Sequence, residues 1–283
     1  AKKFPCADLG KDCVRPSSLF FLKLRGCGGK TIGEGLFNHI LDRDQLVVSE
    51  GWSLAHTPTM ERLMATRSSG GLVMAALRNP IDRAISRYWF EGRWPLFLKS
   101  PDTEPLPFHA WLLRDHCGAK HHGARLWDCT ENYYVKTLAG FTGEALCHSP
   151  HADDGTMQTP LGVPSDPRCH GGVGQRELDK AKSVLETLVH VVILSEDLSD
   201  PRQIAYLGDT LCFAHHEGQT PVVEGTSGQR RAVPSLHSRR PAGGHTRKRP
   251  TDWEPTEREM RTLQENNQLD LELYQWAVEL VKR

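Results

Sequence analysis

Short apolar runs that alternate with stretches of helical period leave few folds open to this chain. Leu19–Leu24 (LFFLKL), Leu46–Ser49, Leu72–Leu77 and His190–Leu194 read as compact, largely apolar strands. Between them, Thr31–Leu41 carries Ile32, Leu36, Phe37 and Ile40 at helical spacing, and Thr59–Ala65 and Arg176–Leu188 repeat that period. Strand then helix, repeated, predicts an α/β fold with a parallel sheet flanked by helices. Ligands of such sheets bind beyond the carboxyl ends of the strands. That rule gathers Gly26–Lys30, Glu50–His56 and Arg78–Asn79 into one candidate site.

With 283 residues, 38% of them hydrophobic, the chain is long enough for one enzyme-sized domain with a buried core. Its 35 basic residues balance 35 acidic ones, which argues against a nucleic-acid coat or a membrane-surface protein. Any anion binding is therefore local. No apolar run reaches the ~18 residues of a bilayer span. The eight cysteines (Cys6, Cys13, Cys27, Cys117, Cys129, Cys147, Cys169, Cys212) form no CxxC pair, which disfavours a zinc ribbon or a thioredoxin-type site. Their even number fits disulfides in an oxidising compartment, with reduced thiols as the alternative. His116, Cys117, His121, His122 and Cys129 match no common zinc spacing, so no metal is expected.

Residues 1–18 read as an N-terminal stem or extension and 19–283 as a single domain with two loop insertions. The first, near 148–174, is rich in Pro, Gly, Asp and His. The second, near 215–254, includes Thr226–Pro250, with seven Lys or Arg and no Asp or Glu. It reads as a solvated tether, or as a basic lip for a polyanion. A closing helix is predicted from about Thr256, where Thr256 and Glu259 can form a capping box. Met260, Leu263, Leu269, Leu273, Trp276, Ala277 and Leu280 would line its buried face.

Two segments carry chemistry. In FLKLRGCGGKTI (residues 20–32), glycines let backbone N–H groups close around an anion while the following helix offers its positive N-terminal end. Gly29, Lys30 and Thr31 match the end of a nucleoside-triphosphate P-loop, but Leu24 stands where that pattern needs its first glycine. In LVMAALRNPIDRAISRYWF (residues 72–90), Arg78 ends a strand, Asn79-Pro80 breaks it, and a helix presents Arg83, Ser86 and Arg87 within about a turn. A guanidinium donates in pairs to phosphate, and a serine adds a hydrogen bond without bulk. Trp89, Phe90, Trp94, Trp111, Tyr133 and Tyr134 read as core residues, or as platforms for a sugar or an adenine.

The second segment resembles the R-x-P-x-x-R-x-x-S-x-Y signature of sulfotransferases that use 3′-phosphoadenosine 5′-phosphosulfate (PAPS), with Arg78, Pro80, Arg83, Ser86 and Tyr88 in order. The glycine loop is similar to that family's 5′-phosphosulfate loop. NYYVKTL (132–138), ILSEDL (193–198) and NNQLDLELYQWAVEL (266–280) resemble segments of the membrane-anchored, Golgi-type carbohydrate sulfotransferases. The resemblance runs from about residue 19 to the end and omits the two insertions.

What it implies is a three-layer Rossmann-like, P-loop-type sheet and in-line transfer of a sulfuryl group without metal. The acceptor would be a hydroxyl of a glycan, a glycoprotein or another secretory-pathway molecule. The setting would be the Golgi lumen, with any membrane attachment through an upstream anchor that this chain does not contain. Arg78 and Ser86, with Arg83, would bind the 3′-phosphate. Gly26, Cys27, Gly28, Gly29, Lys30, Thr31 and Ile32 would wrap the 5′-phosphosulfate. The family's loop lysine falls where this chain has Gly26, which leaves Lys30, then Arg25, then Lys23 as the catalytic cation. His56 and Glu50 are the candidates for the base that takes the acceptor proton. Two alternatives stay open: a P-loop kinase or nucleotide hydrolase, and a sulfotransferase-like protein that binds without turnover.

Overall fold

The computed structural model describes residues 16–28, 32, 37, 46–50, 54, 57–89, 107–112, 131–140, 173–197, 203, 206–207, 210–211, 222–224, 230–232 and 252–282. Four strands, β1 (Leu19–Lys23), β2 (Leu46–Glu50), β3 (Leu72–Leu77) and β4 (Val191–Leu194), form one sheet in the order β2-β1-β3-β4. Every pairing is parallel: Lys23 lies opposite Glu50, Leu19 opposite Leu72, and Leu77 opposite Leu194. All six residues of β3 and all four of β4 are buried, so both faces of these strands are covered. The α/β architecture expected from the alternating runs is present, with strand limits within one residue of those read from the sequence.

Helices flank the sheet. The first, α1 (Thr57–Ser68), packs on β1 and β3; α2 (Pro80–Arg87) and the short α3 (Phe108–Leu112) follow. Then come α4 (Tyr133–Ala139), α5 (Gln175–Thr187), α6 (Glu257–Asn266) and α7 (Gln268–Lys282). Among these, α4, α5 and α7 pack on one another and α7 also meets β4. A main apolar core surrounds the strands, α4 and α5. A second gathers Ile81, Ile85, Tyr88, Trp89, Trp111 and Leu263 with Trp253 and Met260 against it. Trp89, Trp111, Tyr133 and Tyr134 are thus core residues rather than exposed platforms.

Two expectations need correction. The closing helix starts where predicted, with Thr256 Oγ1 accepting from the Glu259 N–H at 3.3 Å and Glu259 Oε2 accepting from the Thr256 N–H at 2.8 Å. It is two helices, however, divided at Asn267, whose side chain is fully buried and donates to the Leu263 carbonyl at 2.9 Å. A side chain that bonds the preceding turn and the Asn132 N–H competes with helix continuation. Secondly, the basic insertion is not loop throughout: Arg230–Ala232 pairs antiparallel with Val222–Glu224. Apart from buried Ile32 and Phe37, the helix expected over 31–41 lies outside the described residues, as do residues 148–172, the His116–Cys129 group, and every cysteine except Cys27.

Candidate functional site

The strand order sets the place where a ligand can enter. From β1 the chain winds outward to β2, and from β3 outward to β4 on the other side, so the winding reverses between β1 and β3. At such a reversal the connections leave in opposite directions and open a crevice beyond the strand ends. The turn after β1 and the turn after β3 both fall there.

After β1, the chain passes through Gly26 (φ +79°) and Gly28 (φ +69°), both in the left-handed region that glycine adopts without a Cβ penalty. Ile32 N–H donates to the Gly28 carbonyl at 2.9 Å. After β3, Asn79 caps α2, its Oδ1 accepting from the Ile81 N–H at 3.0 Å and the Asp82 N–H at 3.4 Å, with Pro80 opening the helix. The two turns touch, with Arg78 Nη1 3.5 Å from the Gly26 carbonyl oxygen.

Adjacent tyrosines on α4 fasten both turns from below. The Tyr133 hydroxyl accepts from the Arg25 N–H at 3.0 Å. The Tyr134 hydroxyl donates to the Arg78 carbonyl at 2.8 Å, accepts from the Arg78 N–H at 3.2 Å, and lies 3.0 Å from Cys27 Sγ. Its single proton goes to the carbonyl, so across the contact with Cys27 only the S–H can donate, and that one proton also faces the Arg25 carbonyl oxygen, 3.6 Å from Sγ. Burial raises the pKa of both phenols and pushes the Cys27 thiol up to about 12, so all three groups stay protonated at neutral pH.

The tyrosines are themselves anchored by α7. Both oxygens of Asp270 accept backbone N–H groups of the first turn of α4: Oδ2 from Tyr134 and Oδ1 from Val135, each at 2.9 Å. In return Asn132 Oδ1 accepts from the Leu269 and Asp270 N–H groups at 3.1 and 3.2 Å, so two helices cap each other. Asn132 makes this contact at φ +43°, a left-handed conformation that asparagine tolerates better than most residues. A second link from α7 runs through Tyr274, whose hydroxyl donates to Glu196 Oε2 at 3.0 Å while Glu196 Oε1 accepts from the Asn79 N–H at 2.5 Å.

The residues singled out in the sequence divide accordingly. Arg25, Gly26, Cys27, Gly28 and Arg78 meet at the crevice, and Ser86 lies partly exposed on α2. Arg83 is fully buried, with its guanidinium 4.2 Å from the centre of the Tyr133 ring and its Cγ 2.9 Å from where a Cβ on Gly26 would stand. It supports the glycine turn from inside. Glu50 ends β2 opposite Lys23, at the same edge of the sheet. Gly29, Lys30, Thr31 and His56 lie outside the described residues. Among the described residues no group of acidic, histidine or cysteine side chains is arranged to hold a metal ion.

Sequence reasoning missed the fastening role of Tyr133 and Tyr134 and the anchor formed by Asn132, Asn267 and Asp270. The available signal was polar: asparagines immediately ahead of two helices, and an aspartate in the first turn of an otherwise apolar face. Fold and crevice define an α/β domain with two anion-suited turns meeting at a reversal of strand order. No family model matches the chain, and no curated protein matches it.

Proposed function

We propose that this chain is a sulfotransferase that moves a sulfuryl group from PAPS to a hydroxyl of a glycan, glycoprotein or other secretory-pathway acceptor. The observation that carries the reading is the meeting of two turns, each suited to an anion, at one reversal point of a parallel sheet. PAPS is phosphorylated at both the 3′ and 5′ positions and needs two such turns. A mononucleotide with all its charge at one end needs one.

On this reading the sheet is the middle layer of a Rossmann-like, P-loop-type core. Arg78 and Ser86 hold the 3′-phosphate, and the turn from Gly26 to Ile32 holds the 5′-phosphosulfate. The acceptor oxygen attacks sulfur in line, the bond from sulfur to the phosphate oxygen breaks, and adenosine 3′,5′-bisphosphate leaves. The acceptor proton passes to His56 or Glu50. Lys30, or Arg25 beside the turn, neutralises charge on the departing oxygen in place of the family's lysine. No metal takes part. On the same reading the chain works in the Golgi lumen.

The test is turnover with sulfur-labelled PAPS and a panel of desulfated glycans in the presence of a chelator. Label on a glycan, with release of adenosine 3′,5′-bisphosphate, is the expected result. Consumption of ATP with magnesium and no transfer from PAPS would replace this reading with a kinase or hydrolase.

A further inference from the structure

Among the described residues near the crevice, Tyr134 is bonded to both turns. Tyr134 is fully buried on α4, and its hydroxyl reaches the backbone of Arg78 on both the N–H and carbonyl sides, at 3.2 and 2.8 Å, and Cys27 Sγ at 3.0 Å. Arg78 belongs to the turn after β3 and Cys27 to the turn after β1. Resting on the reading above, we propose that Tyr134 is a positioning residue whose hydroxyl fixes the distance between the 3′-phosphate turn and the 5′-phosphosulfate turn, and so sets selectivity for nucleotides phosphorylated at both ends.

The geometry gives this hydroxyl a role that packing alone does not require. A phenylalanine ring fills the same buried volume, so what the hydroxyl adds is its three contacts. Those contacts act on backbone and on a buried thiol, which move with their turns. Between them they tie Arg78, whose guanidinium is directed toward Gly26, to the turn it faces. Tyr133 provides the comparison within the same helix: its hydroxyl bonds the Arg25 N–H, in the first turn.

The experiment compares adenosine 3′,5′-bisphosphate with adenosine 5′-monophosphate, measuring the ratio of their affinities in the full chain and in Tyr134→Phe and Tyr133→Phe. A variant that merely lowers the folded fraction weakens both nucleotides by one factor and leaves the ratio unchanged. Loosening the Arg78 turn removes the gain from the 3′-phosphate alone. Tyr134→Phe is expected to cut the ratio about tenfold, the effect of one misplaced charge-assisted hydrogen bond, while Tyr133→Phe lowers both affinities together. A wild-type ratio in Tyr134→Phe overturns the proposal and leaves the sulfotransferase reading standing. Absence of any preference in the wild-type chain overturns both.

If Tyr134→Phe does not fold, Cys27→Ala cuts the same tie from the other side. Without that contact the turn after β1 no longer keeps its distance from Arg78, so a reduced ratio supports the tie. A wild-type ratio contradicts it, whether or not both affinities fall.

Discussion

Asp270→Ala is expected to destabilise the protein by about 3 kcal/mol, and to weaken nucleotide binding although Asp270 faces neither turn. The carboxylate accepts two backbone N–H groups of α4, and the residue is fully buried. Truncation leaves both donors in an apolar interior, where each unsatisfied group costs about 1–3 kcal/mol. Once the first turn of α4 frays, the hydroxyls of Tyr133 and Tyr134 no longer meet Arg25 and Arg78. Denaturant unfolding checks the first effect, and nucleotide titration of the folded fraction checks the second.

The pH dependence of that loss has a definite sign. Burial raises the Asp270 pKa from 3.8 to about 6, against the lowering effect of its two backbone hydrogen bonds and of Arg83. A carboxyl that binds its proton more tightly folded than unfolded contributes stability that is full below about pH 4 and lost as pH rises through about 6. The penalty of Asp270→Ala is therefore larger at pH 5 than at pH 7. A penalty that grows toward pH 7 would mean that this carboxylate is stabilised as an anion.

Gly26→Ala is expected to cost a similar ~3 kcal/mol and to abolish nucleotide binding. Two terms add. A non-glycine residue at φ +79° costs about 1–2 kcal/mol, and its Cβ would stand 2.9 Å from Arg83 Cγ. Arg83 has little room to yield, because it is fully buried and lies over Tyr133; overpacking of this kind costs about 1–3 kcal/mol. Relief comes from moving the turn, which shifts the backbone N–H groups proposed to hold the 5′-phosphosulfate. Thermal unfolding and nucleotide titration on the same variant separate the fold from the site.

How much of this was legible in the sequence follows from the range of each interaction. Strands β1, β3 and β4 declare themselves because unbroken apolar runs fit a sheet covered on both faces, and the Asn79-Pro80 break follows from proline chemistry alone. The glycines after β1 signal a turn that needs positive φ, as Gly26 and Gly28 have. Arg78 and Ser86 stand out by residue type and spacing. The fastening of the turns is another matter. Tyr133 meets Arg25 across 108 residues, and Asp270 meets Tyr134 across 136. No local periodicity carries such a pairing, and a buried tyrosine looks the same in sequence whether its hydroxyl is structural or idle. Arg83 is a related case: helical spacing puts it near Ser86, while its burial against the glycine turn and Tyr133 comes from distant parts of the chain.

The proposed function requires the two turns to bind one doubly phosphorylated nucleotide. Its most direct test is calorimetric titration with adenosine 3′,5′-bisphosphate, beside ATP with magnesium, of the wild-type chain and of the Arg78→Ala, Ser86→Ala double variant. Metal-independent binding of the bisphosphate, weakened about a hundredfold by the double substitution through the loss of two hydrogen bonds to a charged group, is the predicted result. Preference for ATP with magnesium, or equal binding by wild type and variant, would contradict it.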